Sequence, residues 1–282
     1  MLQRIISALV LAPIVLLIVW LGGWWMTALI AAAIVIGVAE IGRIFAAGAL
    51  HPRPAVATAL GLVFLAAVVF QSRTTVNLSG AALALAVIGS LLAEIWRRDR
   101  TGSLDAWAVT LASALYVGGL LAHFVLLRGI AAPALRPNPL SGLKLAPGAA
   151  WIFATFAVTW ASDSGAYFAG RSFGRTKMSP RLSPKKTWEG FAGGMIGGTL
   201  VAVIVSLSAP IFPGGVPEAV AFGLAIGVAG VLGDLAESLI KRDCQTKDAS
   251  KNIPGFGGLL DVVDSVLFAA PVAYLWFTWN AT

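Results

Sequence analysis

The chain has 282 residues, 58% of them hydrophobic and only 12% charged, and a formal charge of +7. A soluble domain carries about a quarter charged residues, so these figures exclude an ordinary soluble globular protein and predict an all-α polytopic membrane protein. Continuous rather than alternating apolar runs exclude an outer-membrane barrel, and a lone cysteine, Cys244, excludes an intrachain disulfide or a cysteine metal cluster.

The first apolar run, "IISALVLAPIVLLIVWL" after Arg4, leads into "GGWWM" without a small-residue cleavage motif, which predicts a retained helix rather than a signal peptide. Apolar windows then predict about nine transmembrane helices, near 5–21, 24–41, 55–70, 78–96, 106–127, 150–169, 191–211, 218–240 and 259–279. With the N-terminus cytoplasmic, 16 of the Lys and Arg residues fall in inner loops: Arg4, Arg43, Arg53, Arg97, Arg98, Arg100, six from Arg171 to Lys186 and four from Lys241 to Lys251. Four fall outside (Arg73, Arg128, Arg136 and Lys144). The positive-inside rule therefore selects this orientation, in the inner (cytoplasmic) membrane. The basic charge then reads as loop bias, with the lipid bilayer as partner and no nucleic acid.

Residues 1–150 hold few polar groups within spans, and Glu40 and Glu94 sit near predicted cytoplasmic ends, where snorkelling or capping would suit them. This half is expected to be scaffold, with dimer contacts. Residues 151–282 concentrate polar, glycine and charged positions, with cytoplasmic loops at 170–190 and 241–256, and form the expected catalytic region. The Pro-rich segment "APALRPNPLSGLKLAPG" between the halves reads as an external loop.

In the second half, "WASDSGAYFAGRSFGRTKMSPRLSPKKTWEG" starts in a span with Ser162, Asp163 and Ser164. It ends in a loop carrying Arg171, Arg175, Lys177, Arg181, Lys185 and Lys186. Cations beside backbone N–H groups freed by Gly and Pro form an anion site, most naturally for phosphates. Attraction to anionic lipid would explain the cations alone, but not Asp163 or the dense Ser/Gly/Pro pattern.

The next polar segment is "GDLAESLIKRDCQTKDASKNIPGFGGLLDVVD". Helical spacing puts Asp234, Glu237, Ser238 and Lys241 on one face, and Asp261 and Asp264 on one face of the last helix. Carboxylates inside spans are costly and usually functional, and four converging carboxylates would repel and protonate unless a cation joined them. An all-oxygen set without Cys or a nearby His suits Mg²⁺ or Mn²⁺ better than zinc. Internal pairing with Lys241, Arg242 and Lys247 is the plainer alternative and is compatible with metal binding. Acidic ligands beside a phosphate-binding basic loop specify metal-assisted phosphoryl or nucleotidyl transfer to a membrane-borne substrate. A proton-coupled transporter would also place carboxylates in spans, but would hardly need ten cations in two adjoining loops.

At these residues the sequence resembles the phosphatidate cytidylyltransferases, also called CDP-diacylglycerol synthases. "DSGAYFAGRSFGRTKMSPRLSPKKTWEG" is similar to the family's "SP-K-KTWEG" segment, and "GDLAESLIKRDCQTKD" with "PGFGGLLDVVD" resembles its C-terminal signature; together they span roughly 160–265. The resemblance implies transfer of a cytidylyl group from CTP to phosphatidate, with Mg²⁺ required and a second cation left open. It implies Asp234 and Asp261 as metal-binding and catalytic aspartates, with Lys241, Glu237 and Asp264 beside them. It implies phosphate contacts from Lys185, Lys186, Lys241 and Arg242, with Asp163, Ser183, Thr187, Ser238, Lys247, Asp248, Gly257 and Gly258 completing the substrate site. A homodimer is the family-level expectation. Where the family pattern has His and Arg, this chain has Phe256 and Val262. A related transferase acting on another lipid phosphate, and an impaired family member, are the alternatives these two positions raise.

Overall fold

A computed structural model describes residues 2–96, 102–130, 145–250 and 252–281. The expectations for Arg97, Arg98, Arg100, Arg136, Lys144, Lys251 and most of the Pro-rich segment lie outside the described residues. So does that for the side chain of Arg4.

The described residues are mostly helical, with one two-stranded hairpin among them. In order come α1 (Leu2–Leu21), α2 (Gly23–Ala47), α3 (Pro54–Phe70) and α4 (Leu78–Ile95). A continuous run follows, made of α5 (Ser103–Ser113), a π-helical turn (Ala114–Gly119) and α6 (Leu120–Gly129). Then come α7 (Pro147–Phe173), β1 (Lys177–Ser179), β2 (Ser183–Thr187), α8 (Trp188–Ser208), α9 (Gly215–Asp243) and α10 (Leu260–Ala281). Six helical segments among the described residues are long and apolar enough to cross a membrane: Gly23–Ala47, Leu78–Ile95, Ser103–Gly129, Trp188–Ser208, Gly215–Asp243 and Leu260–Trp279. Ile6–Leu21 and Pro54–Phe70 are apolar but shorter. In α7, the Thr, Ser and Gly positions and Asp163 dilute the apolar content, so it is not among the six.

The chain divides into two compact units, Met1–Leu126 with Leu239–Val263, and Leu127–Ser238 with Asp264–Thr282; the division falls inside α6, α9 and α10. In the first unit, Ile34, Val38 and Ile41 of α2, Leu65 of α3 and Val117 of the π-helical turn are buried. Gly61 of α3 admits the backbone of Gly118, where a Cβ would stand 2.6 Å from the Gly61 Cα. Glu94 does not snorkel as expected: it is buried and pairs with Arg53 Nε at 2.7 Å, because Arg53 at the start of α3 reaches it from the side.

The second unit packs α7 against α8 through small residues. The Cβ of an alanine at Gly165 would lie 2.5 Å from the Gly193 carbonyl oxygen, and one at Gly197 would lie 2.8 Å from that of Ala161. "GGMIGG" thus marks a helix contact, as small-residue segments do where no hydrophobic drive separates protein from lipid. An aromatic cluster closes the other end of this unit: Trp151 stacks on Phe277 at 4.7 Å, and Phe212 and Phe222 lie against the same ring. Gly165→Ala should destabilise the protein by about 1–3 kcal/mol through overpacking against fixed backbone. The thermal midpoint in detergent checks this, with Gly129→Ala, whose added Cβ meets nothing within 4 Å, as the unaffected control.

Candidate functional site

The basic loop expected after α7 is a short antiparallel hairpin, with Lys177 opposite Thr187 and Ser179 opposite Ser183. Sequence reasoning read this segment only as bent chain, since Pro, Ser and Lys carry little strand signal. The base of the hairpin is closed by Glu189 of α8, whose carboxylate accepts from Arg175 N and Thr176 N at 3.1 Å each. Thr187 caps α8: its Oγ1 accepts from Gly190 N at 3.1 Å, a standard N-cap bond. A helix after this loop was legible; the Glu189 clamp was not.

Beside the hairpin, in the second unit, lies a cavity of about 500 Å³. Arg171, Ser183, Lys185, Lys186 and Thr187 line it together with Asp163, Asp234, Asp264 and Ser265. Lys186 Nζ pairs with Asp234 Oδ2 at 2.8 Å, and Ser238 Oγ donates to Asp234 Oδ1 at 3.3 Å. Ser265 Oγ donates to Asp163 Oδ1 at 3.5 Å. Glu237, one turn of α9 from Asp234, is 1% exposed. Four of the expected carboxylates therefore gather in this unit, with Lys185, Lys186 and Arg171 lining the same cavity.

Asp261 belongs to the first unit. Its Oδ1 accepts from Lys241 Nζ at 2.7 Å, and its Oδ2 from Ala249 N at 2.9 Å and Gly258 N at 2.7 Å. A carboxylate offers about four lone-pair sites, so three are taken. The returning turn is tight: Gly257 has φ +112°, and a Cβ there would lie 2.5 Å from Asp261 Oδ2. A Cβ on Gly258 would lie 2.6 Å from Glu40 Oε2. The room these two glycines leave is filled by the chain's own carboxylates. Phe256 is half-buried in this turn, its N–H bonded to Ile253 O, and Val262 is 37% exposed. Arg242, Lys247 and Asp248 are exposed on the same stretch; Arg242 Nη1 reaches Thr246 O at 3.5 Å.

Of the snorkelling or capping expected of Glu40, snorkelling is not what the structure shows, since the residue is 0% exposed. It caps α10 from α2, its Oε2 accepting from Leu260 N at 2.9 Å across a separation of 220 residues. An apolar stretch interrupted by one acid was the available signal; its partner could not be read from spacing.

The donor set fits Mg²⁺. No group of three or more His, Cys, Asp and Glu among the described residues is arranged to hold an ion by itself. Mg²⁺, however, is ordinarily held by one or two carboxylates, with water and substrate phosphates completing the octahedron. Hard carboxylate oxygens beside ammonium and guanidinium groups meet that need.

Apolar helices of membrane-crossing length define a membrane protein, and its second unit holds a cavity lined by both aspartates and cations. The family model for the cytidylyltransferase family matches residues 2–279. A phosphatidate cytidylyltransferase of Synechocystis sp. is 33% identical over 285 residues, which cover 96% of this chain and 94% of that protein. Shorter matches are to proteins of the same name from Bacillus subtilis (39% identical, over 59% of this chain and 56% of that protein) and Haemophilus influenzae (40% identical, over 50% and 48%). The chain belongs to the cytidylyltransferase family and is an enzyme of that kind.

Proposed function

We propose that the enzyme transfers the cytidylyl group of CTP to phosphatidate, yielding CDP-diacylglycerol and pyrophosphate, at the cytoplasmic face of the inner membrane. The observation that carries this reading is the cavity in which Arg171, Lys185 and Lys186 stand among Asp163, Asp234 and Asp264. The names of the relatives supply the substrates. The excess of cations in alternate loops supports a cytoplasmic N-terminus and nine crossings. Family resemblance supports a homodimer.

The nucleophile is a phosphate monoester oxygen of phosphatidate, whose second pKa near 6 leaves it largely ionised at neutral pH. It attacks the α-phosphorus of CTP, a new P–O bond forms, and the bond from the α-phosphorus to the bridging oxygen breaks as pyrophosphate departs. No proton needs to be removed first. The task of the protein is to neutralise and align phosphates. Lys185, Lys186 and Arg171 contact them, and Lys186 exchanges part of its pairing with Asp234 for substrate. Asp163 and Asp264 keep the cavity from holding phosphate too tightly. Asp234 would hold Mg²⁺, which would supply charge neutralisation of the triphosphate when bound; Asp261 is the second metal-binding aspartate that the family resemblance implies.

Purified protein in phosphatidate-containing vesicles should release pyrophosphate and form CDP-diacylglycerol only with CTP and Mg²⁺ together. Absence of turnover on phosphatidate, with turnover on another lipid phosphate in the same assay, would replace the substrate. Phe256 and Val262, standing where the family pattern has His and Arg, are the reason to include such lipids. Substrate flux without pyrophosphate release would instead identify a transporter.

A further inference from the structure

Glu40 has no part in the function proposed above, yet it is a fully buried acid whose two oxygens point at one short turn. Oε1 accepts from Ser250 Oγ at 2.7 Å and from Asn252 Nδ2 at 3.2 Å. Oε2 accepts from Leu260 N, the first residue of α10. The three donors bracket the turn on both sides, so the carboxylate ties its entry to its exit. The turn between them is the one whose Ala249 and Gly258 amides hold Asp261. A buried carboxylate without its hydrogen bonds would be costly; with them, it gives the turn one conformation.

We infer that Glu40 is a positioning residue for the reaction: from α2 it clamps the described residues of this turn, 249–250 and 252–260, and thereby fixes the carboxylate of Asp261 in its working orientation. The clamp stands on the geometry of the first unit, while its consequence for turnover rests on the metal role proposed for Asp261. Outer partners of this kind, which orient a ligand without touching the ion, typically alter metal affinity 10–100-fold when removed, on the order of what is expected here. What Glu40 supplies is acceptor geometry. Glu40→Gln can keep the Leu260 bond through its oxygen and, with the Asn252 amide and the Ser250 hydroxyl turned over, the other two through its NH₂.

Hydrogen exchange of the whole enzyme in detergent, read by mass spectrometry, tests the clamp without requiring activity. Glu40→Ala should raise exchange across 249–260 at least about tenfold, leave the hairpin at 177–187 unchanged, and raise the half-saturating Mg²⁺ concentration of the transfer reaction about tenfold or more. Glu40→Gln should stay within about threefold of the parent on both measures, a rescue that a merely space-filling role would not single out from other isosteres such as Glu40→Met. If Glu40→Ala fails to fold, Ser250→Ala with Asn252→Ala removes two of the same bonds from the outer side and should open the same segment. Exchange across 249–260 within twofold of the parent in both variants would overturn the inference, as would a rise spread evenly over the chain. Should Asp261→Asn itself leave the Mg²⁺ requirement and rate untouched while Glu40→Ala opens the turn, the metal role of Asp261 falls and the clamp stands.

Discussion

Replacing Asp234 by Asn should lower cytidylyl transfer at least about 10²-fold, equivalent to about 2.7 kcal/mol of transition-state stabilisation, with little change in thermal stability. The two halves of this expectation have separate physical grounds. Asparagine keeps the size of the side chain and can still accept from the Ser238 hydroxyl, which now lies 3.3 Å away. The bond to be lost is that to Lys186, and this pair is not deeply buried, the side chains being 20% and 37% exposed. Pairs of that exposure contribute about 0–1 kcal/mol to folding. Loss of one negative charge also relieves repulsion among Asp234, Asp163 and Asp264, which offsets part of that cost. Activity is different, because the removed charge is the one proposed to hold Mg²⁺ against the triphosphate. Turnover with labelled CTP, set beside the thermal midpoint of the same preparation, checks both. A rate within threefold of the parent would sink the assignment of Asp234, whatever the stability.

The parts of this molecule that were legible in its sequence are those governed by short-range rules. Helices α2, α4, α8, α9 and α10 were readable because each is a continuous apolar run of spanning length, and the structure places them within a few residues of the expected windows, save at the C-terminal end of α2, which runs on to Ala47. Asp234 and Ser238 were placed on one face by helical spacing, and a hydrogen bond joins them. "GGMIGG" was readable as a contact because glycine in a membrane helix has little other use. What escaped was set by partners distant in the chain. Glu40 meets Ser250 across 210 residues, and Arg53 reaches Glu94 across a helix pair. The hairpin was invisible for another reason: its strands are three and five residues long, and its sequence, "KMS" and "SPKKT", has no β alternation to detect. The π-helical turn at Ala114–Gly119 likewise has no signature of its own; only the meeting of Gly118 with Gly61 marks it.

Asp261→Asn should also lower transfer at least about 10²-fold, but here stability should fall with it, and a second substitution separates the two effects. Asp261 and Lys241 are 10% and 12% exposed, so the pair is largely out of water. Removing one partner of such a pair leaves an uncompensated charge and costs on the order of 3 kcal/mol. Asparagine makes the conflict specific. With its oxygen on the Ala249 and Gly258 amides, its NH₂ faces the Lys241 ammonium, donor against donor; turned over, the NH₂ faces the two amides instead. Neither orientation satisfies all three donors that Asp261 now accepts. Adding Lys241→Met removes the ammonium and lets asparagine settle with its oxygen on the two amides. The thermal midpoint of the double variant should therefore return most of the way to that of the parent. Its turnover should not return, because the carboxylate proposed for Mg²⁺ is absent and Lys241 is itself expected to contact phosphate. To isolate the carboxylate, Lys241→Met alone serves as the reference: with the Asp261 charge present and unpaired, it should bind Mg²⁺ more readily than the double variant. If the double variant turned over as fast as Lys241→Met alone, Asp261 would be a structural partner of Lys241 and the turn, and Asp234 would be left as the metal-bearing aspartate.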